Sequence, residues 1–153
     1  MQTGSVISQE DAATALRFHN KVRSDVGVGP LQWSPVLATY AQAWAEHLAS
    51  SGCAPKHRPR EGEWKQQYGE NIFMGSGKVY RALEASQSWY SEIKQYRYSE
   101  LNGKNWYKTG HYTQMVWRNT TAVGMGMAGC KDGSIIIVAN YNPPGNMMGE
   151  KPY

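Results

Sequence analysis

Apolar residues recur at helical spacing early in the chain and at strand spacing near its end. After Ser8, the stretch "QEDAATALRFHNKVRSDVG" aligns Ala12, Ala15, Leu16, His19, Val22 and Val26 on one stripe, which predicts an amphipathic helix. Ser8 is a suitable N-cap, Glu10 and Asp11 suit the positive helix start, and Gly27 ends the pattern. A second helix is predicted from Ser34, with Pro35 in its first position and Leu37, Tyr40, Ala41, Trp44 and Leu48 on its buried face, until Gly52. From Ala54 to Gln67 the chain turns polar and carries Pro55 and Pro59, which predicts a surface loop containing His57.

"YGENIFMG" then reads as a short strand. "KVYRALEASQSWYSEIKQY" reads as a third helix with Val79, Ala82, Leu83, Ser86, Trp89, Tyr90 and Ile93 turned inward. "RYSELNGKNWYKTG" is aromatic and irregular, a loop, and "HYTQMVWRN" reads as a short fourth helix capped by Thr109. Two strands follow at "AVGMGMAG" and "SIIIVANYN", joined by an Asp-Gly turn in "CKDGS", before a turn-rich tail. With no repeat and no linker, the pattern is that of one domain over residues 1–153, and helices that mostly precede strands place it in the α+β class.

Composition narrows the class without naming a ligand. A chain of 153 residues buries a core unaided, and 41% hydrophobic with 18% charged residues is a globular balance. A net charge of +4 and a pI near 9.1 favour anionic surroundings only weakly. The longest apolar run, "IIIVA", is far short of the roughly 20 residues that span a bilayer, so no transmembrane segment is expected. "MQTGSVISQE" lacks the basic start and apolar middle of a secretory signal, so export would require a signal removed from this sequence. Cys53 and Cys130 are either bridged or two buried thiols.

Chemistry has few carriers. Of the four histidines, His19 lies on an apolar stripe and reads as a packed core residue, and His47 sits at the edge of its helix. His57 and His111 lie beside a loop and a helix start, where a ring nitrogen can reach a cleft. Glu84 points away from the third helix's stripe. Glu92 lies roughly 120° from the stripe's centre at about 100° per residue, on a shoulder. Glu70 interrupts a strand, which suits a side chain facing a polar site or water. These separations match no compact zinc motif. Cys53 with His57, or Ser86, Ser88 or Ser91 near Glu92, lacks any readable oxyanion element.

Four segments in order, "YGENIFMG", "WYSEIKQY", "GHYTQMVWRNTTAVGMGMA" and "VANYNPPGNM", resemble the CAP superfamily of cysteine-rich secretory, antigen 5 and pathogenesis-related 1 proteins. The likeness begins near "RFHNKVRSDVGVGPLQWSP". In its few cysteines the chain looks like the compact branch that contains the Golgi-associated plant pathogenesis-related protein 1. The resemblance implies a three-layer α-β-α sandwich with a small, mainly antiparallel sheet. It also implies a cleft holding His57, Glu70, Glu92 and His111 as metal-site residues.

Two imidazoles and two carboxylates suit Zn²⁺ or another divalent ion, more weakly at acid pH; the alternative is a hydrogen-bonded cluster with no metal. An open zinc site also admits a hydrolase acting on peptide or cell-wall material. Some family members bind sterols or fatty acids, and the aromatic loop before "GHYTQ", here with Tyr96, Tyr98, Trp106 and Tyr107, is associated with sterol. Lys94, Arg97, Lys104 and Lys108 can meet anionic headgroups. The expectation is therefore a secreted, extracellular binding protein, monomeric or weakly dimeric. Its expected partners are lipid, sterol or an anionic membrane surface, not nucleic acid, and turnover is not expected. Ala139 stands where many secreted members have cysteine, so their bridge set does not transfer, and Asn119-Thr120-Thr121 is a formal glycosylation acceptor.

Overall fold

A computed structural model describes residues 2–153. The first helix, α1 (Gln9–Asp25), starts where the Ser8 hydroxyl accepts from the Asp11 amide at 3.1 Å. A two-residue strand β1 (Gln32–Trp33) precedes α2 (Pro35–Ser50), whose start is capped by Ser34 Oγ accepting from the Leu37 amide at 3.2 Å. Then come β2 (Gly69–Gly75), α3 (Ala82–Tyr90) with a 3₁₀ turn over Ser91–Gln95, α4 (Trp106–Met115), β3 (Ala122–Gly129) and β4 (Ile135–Asn142). The sheet runs β1-β3-β4-β2, antiparallel except for the short parallel β1–β3 pairing.

Three layers result, as the resemblance implies. On one face of the sheet, Ala41, Trp44, Ala45 and Leu48 of α2 pack on Ile72, Ile136 and Val138. On the other, α1, α3 and α4 pack on Val123, Met125, Ile137, Ala139 and Tyr141. Strand β4 is covered on both faces, which is why its sequence is a continuous apolar run rather than an alternating one. Gly124 and Gly126 leave room on β3 for the backbone of α2, and a Cβ on either would overlap it. Cys53 and Cys130 are bridged, tying the end of α2 to the β3–β4 turn and leaving neither free as a thiol.

Three expectations need correction. The third helix begins at Ala82, not at Lys78, and Val79 is 75% exposed rather than inward. Ile93 is also exposed, because the α-helix gives way to the 3₁₀ turn at Ser91. The fourth helix starts at Trp106, so Thr109 is internal and its hydroxyl donates back to Asn105 O at 3.2 Å instead of capping. The β1 strand was not expected at all; two residues carry no readable alternation.

Candidate functional site

An open cleft of about 720 Å³ lies where the loop before β2, the start of α4 and the segment after β4 meet. His57 and His111 both line it, although 54 positions (111 minus 57) separate them along the chain. Each imidazole is held the same way at one nitrogen. His57 Nδ1 donates to Glu70 Oε1 at 2.8 Å, and His111 Nδ1 donates to Glu92 Oε2 at 2.7 Å. A carboxylate accepting at Nδ1 fixes a proton there, so that the neutral form of such a ring carries its lone pair on Nε2. Neither Nε2 has a hydrogen-bond partner among the described residues.

Glu70 gains its place from β2 and from the arginine that follows His57. Its side chain is fully buried, and Oε1 also accepts from the Arg58 amide at 3.1 Å. Oε2 faces Arg58 Nε at 4.0 Å and Asn140 Nδ2 at 3.5 Å. Arg58 is itself buried: its guanidinium lies 3.6 Å over the Tyr40 ring and donates to Tyr40 O at 2.8 Å. Desolvation lowers its pKa, opposed by the Tyr40 and Glu70 oxygens. Beside it, Trp44, His47 and Trp64 stack on one another, which accounts for His47 without a role in the cleft.

Glu92 reaches α4 because the 3₁₀ turn redirects the chain after Tyr90. Its Oε1 accepts from the backbone amides of His111 and Tyr112 at 2.9 and 3.0 Å, in the middle of α4 rather than at its start. Behind His111, Trp89 stacks on the imidazole, and Asn71 Nδ2 donates to His111 O at 3.1 Å. Asn71 also donates to the Tyr141 hydroxyl, which in turn donates to His19 Nε2 at 2.8 Å. His19 Nδ1 donates to Ala15 O, so His19 is a neutral core residue, and burial pulls it from 6.5 to about 4. Burial also pushes the Tyr141 phenol up.

The four sequence-predicted residues therefore form two His–Glu pairs, of which His57, Glu70 and His111 line the cleft while Glu92 does not and reaches it only through His111. Among the described residues, the only three or more His, Cys, Asp or Glu donors within 4.8 Å of one another are Cys53, Cys130 and Asp132, two of which are spent in the bridge. The glutamates support the imidazoles, and the imidazoles present nitrogen to the cleft. Imidazole nitrogens are suitable donors for a borderline divalent ion such as Zn²⁺, which would keep other positions open.

Of the aromatic set, Trp106 and Tyr107 line the cleft with Leu101 and Met148. Tyr96 and Tyr98 do not; they pack against Tyr153, and the Tyr98 hydroxyl donates to Tyr153 O. Burial pushes the Tyr96 phenol up to about 12. Ser86 donates to Ala82 O at 2.8 Å and Ser91 to Ser88 O at 2.6 Å, so both are local helix contacts.

Two arginines were missed. Arg58 sits in a loop without a periodic signal. Arg23 is buried on α1 and gives all its bonds to carbonyls: Gly29, Met115, Trp117 and Thr120, at 2.6 to 3.0 Å. It closes the end of α4, and burial lowers it to about 10. Its position four residues after His19 on the same stripe was the available signal.

The profile of the cysteine-rich secretory protein family, CAP, matches residues 16–141, and the chain belongs to that family. It is 40% identical to pathogenesis-related protein 1C of Nicotiana tabacum over 146 residues, 95% of this chain and 81% of that one. With pathogenesis-related protein 1 of Arabidopsis thaliana the identity is 39% over 148 residues, 95% and 84% of the two chains. The fold superposes on the crystal structure of NaASP2 with Zn²⁺ at a TM-score of 0.82 and 28% identity, over 96% of this chain and 86% of that one. No helix among the described residues is long and apolar enough to cross a membrane.

Proposed function

We propose that the chain is a secreted binding protein. In this reading its cleft holds one divalent cation, Zn²⁺ in the first instance, through Nε2 of His57 and His111, and receives a sterol, a fatty acid or a membrane lipid beside it. The observation that carries the reading is the pair of Nδ1-anchored imidazoles with unpartnered Nε2 atoms on the cleft that Trp106, Tyr107 and Met148 also line. The similar fold of NaASP2 was crystallised with Zn²⁺, which supports the metal part. The Cys53–Cys130 bridge supports an oxidising, extracytoplasmic destination, and relatives called pathogenesis-related support a defence setting. Tyr96 and Tyr98 would act on a lipid only by steadying the segment that leads to Trp106.

The zinc-dependent hydrolase is the weaker reading. A bound zinc would polarise water, but both carboxylates beside the imidazoles are committed. Glu70 is held by His57, Arg58 and Asn140, and Glu92 by His111 and two amides, so neither is free to take a proton from that water.

Equilibrium binding of labelled cholesterol and labelled palmitate, with and without Zn²⁺, tests the proposal. Saturable binding of at least one lipid is expected, weakened in Trp106→Ala; no saturable binding of either lipid contradicts it. Peptide hydrolysis that disappears with chelator and in His57→Ala would favour the enzyme instead.

A further inference from the structure

Resting on that reading of the cleft, we propose that Met148 is a site of reversible oxidation. A peroxide converts its thioether to the sulfoxide, and the oxidised side chain lowers the affinity of the cleft for an apolar ligand.

Sulfur chemistry carries the first half of the argument. Cys53 and Cys130 are joined to each other, so the chain offers no thiol to an oxidant and its thioethers are the sulfur nucleophiles that remain. Their reactivity follows their exposure. Met115 and Met125 are fully buried and Met127 is half-buried. Met74, on the edge strand β2, is 38% exposed, Met147 is 43% and Met148 is 58%, the most exposed of the described methionines. In the reaction the sulfur attacks one oxygen of hydrogen peroxide and the O–O bond breaks. The proton on the transferred oxygen passes to the departing hydroxide, which leaves as water; the thioether gives up two electrons and the peroxide takes them.

Position carries the second half. Met148 lines the cleft, whereas Met147 and Met74 do not, so the molecule holds its own controls. The backbone around Met148 is fixed without its side chain. Gly149 N donates to Leu101 O at 2.7 Å, Leu101 N to Glu150 O at 2.9 Å and Glu150 N to Met147 O at 3.1 Å. Asn146 ties the same segment to α4, accepting from Thr113 Oγ1 at 2.6 Å and donating to Gly110 O at 2.8 Å. Oxidation therefore changes the lining and leaves the segment in place. A thioether is soft, apolar and adaptable; a sulfoxide puts a polar acceptor at the same point. An apolar ligand laid against it offers no donor, so the oxygen must lose water without compensation or the ligand must withdraw.

The test treats the folded, bridged chain with graded hydrogen peroxide, maps each methionine by peptide mass spectrometry, and measures binding of labelled palmitate and cholesterol before and after. Met148 is expected to oxidise ahead of Met147 and Met74. Affinity for the lipid that binds should fall about tenfold, the size of one unpaired polar group set against an apolar surface, and return after treatment with methionine sulfoxide reductases. Met148→Leu should bind as the untreated chain does and ignore peroxide, while Met147→Leu and Met74→Leu stay sensitive. Met148→Gln, a polar side chain of similar length, should bind weakly without any oxidant, with far-UV circular dichroism checking that each variant folds. Oxidation of Met147 or Met74 ahead of Met148, or a peroxide response that survives in Met148→Leu, overturns the inference. If lipid binds equally well before and after Met148 is oxidised, this inference alone falls. If neither lipid binds the untreated chain, the underlying reading falls and the effect on the cleft with it.

Discussion

His57–Glu70 and His111–Glu92 use the same two side chains and the same Nδ1 contact, yet the protein supports them differently. Glu70 is completely buried between an imidazole and an arginine, whereas the Glu92 side chain is 19% exposed and rests on two backbone amides. One carboxylate is held by side-chain charge inside the fold, the other by a helix at its surface. Glu70 therefore serves the fold as well as the cleft, while Glu92 mainly fixes α4 and its histidine. Substitutions at the two should separate in size.

The largest effect is expected from Glu70→Ala. It leaves the buried Arg58 guanidinium without its anion and the Arg58 amide without its acceptor, at a cost of about 3–5 kcal/mol in urea denaturation. A loss under about 1 kcal/mol would erase the contrast.

Next comes a pH effect from the histidine that serves neither pair. His19 is depressed to about 4 in the fold against 6.5 ordinarily, so between these values the unfolded chain binds the extra proton. Stability should be full above pH 6.5 and fall as the pH drops towards 4, by about 3 kcal/mol from this group. Denaturation curves at pH 7 and pH 4.5 check it, with a histidine NMR titration in which His19 is the last ring to protonate.

The smallest effect is expected from Glu92→Ala, about 1–2 kcal/mol, within the range for partly buried donors that lose their acceptor. Its signature should be faster amide exchange at His111 and Tyr112 rather than a large drop in global stability.

Much of this arrangement was legible because the elements that carry it are punctuated. The caps of α1 and α2, the continuous apolar run of β4 and the glycine-spaced β3 each have one physical reading, and all were found in place. The ends of α3 and α4 were not legible. Val79 continues an apolar pattern that the backbone does not follow, and a 3₁₀ turn at Ser91 changes the period just before Glu92. The four residues of the two pairs were joined by resemblance alone, since His57 lies in a loop and Glu70, Glu92 and His111 sit on three separate elements. Their division into two pairs, with glutamates behind imidazoles, depends on partners such as Arg58 and Asn140 that only the fold brings near. Arg23 shows the same limit: a charged residue on the apolar stripe of α1 becomes the closure of a distant helix end that the sequence does not place beside it.

Whether both imidazoles hold the same ion is decided by zinc titration calorimetry at pH 7.5, on the wild-type chain and on His57→Ala and His111→Ala separately. One ion per chain is expected, with each single substitution weakening it at least tenfold. Two independent ions, or a single substitution that leaves the affinity unchanged, would contradict a shared site.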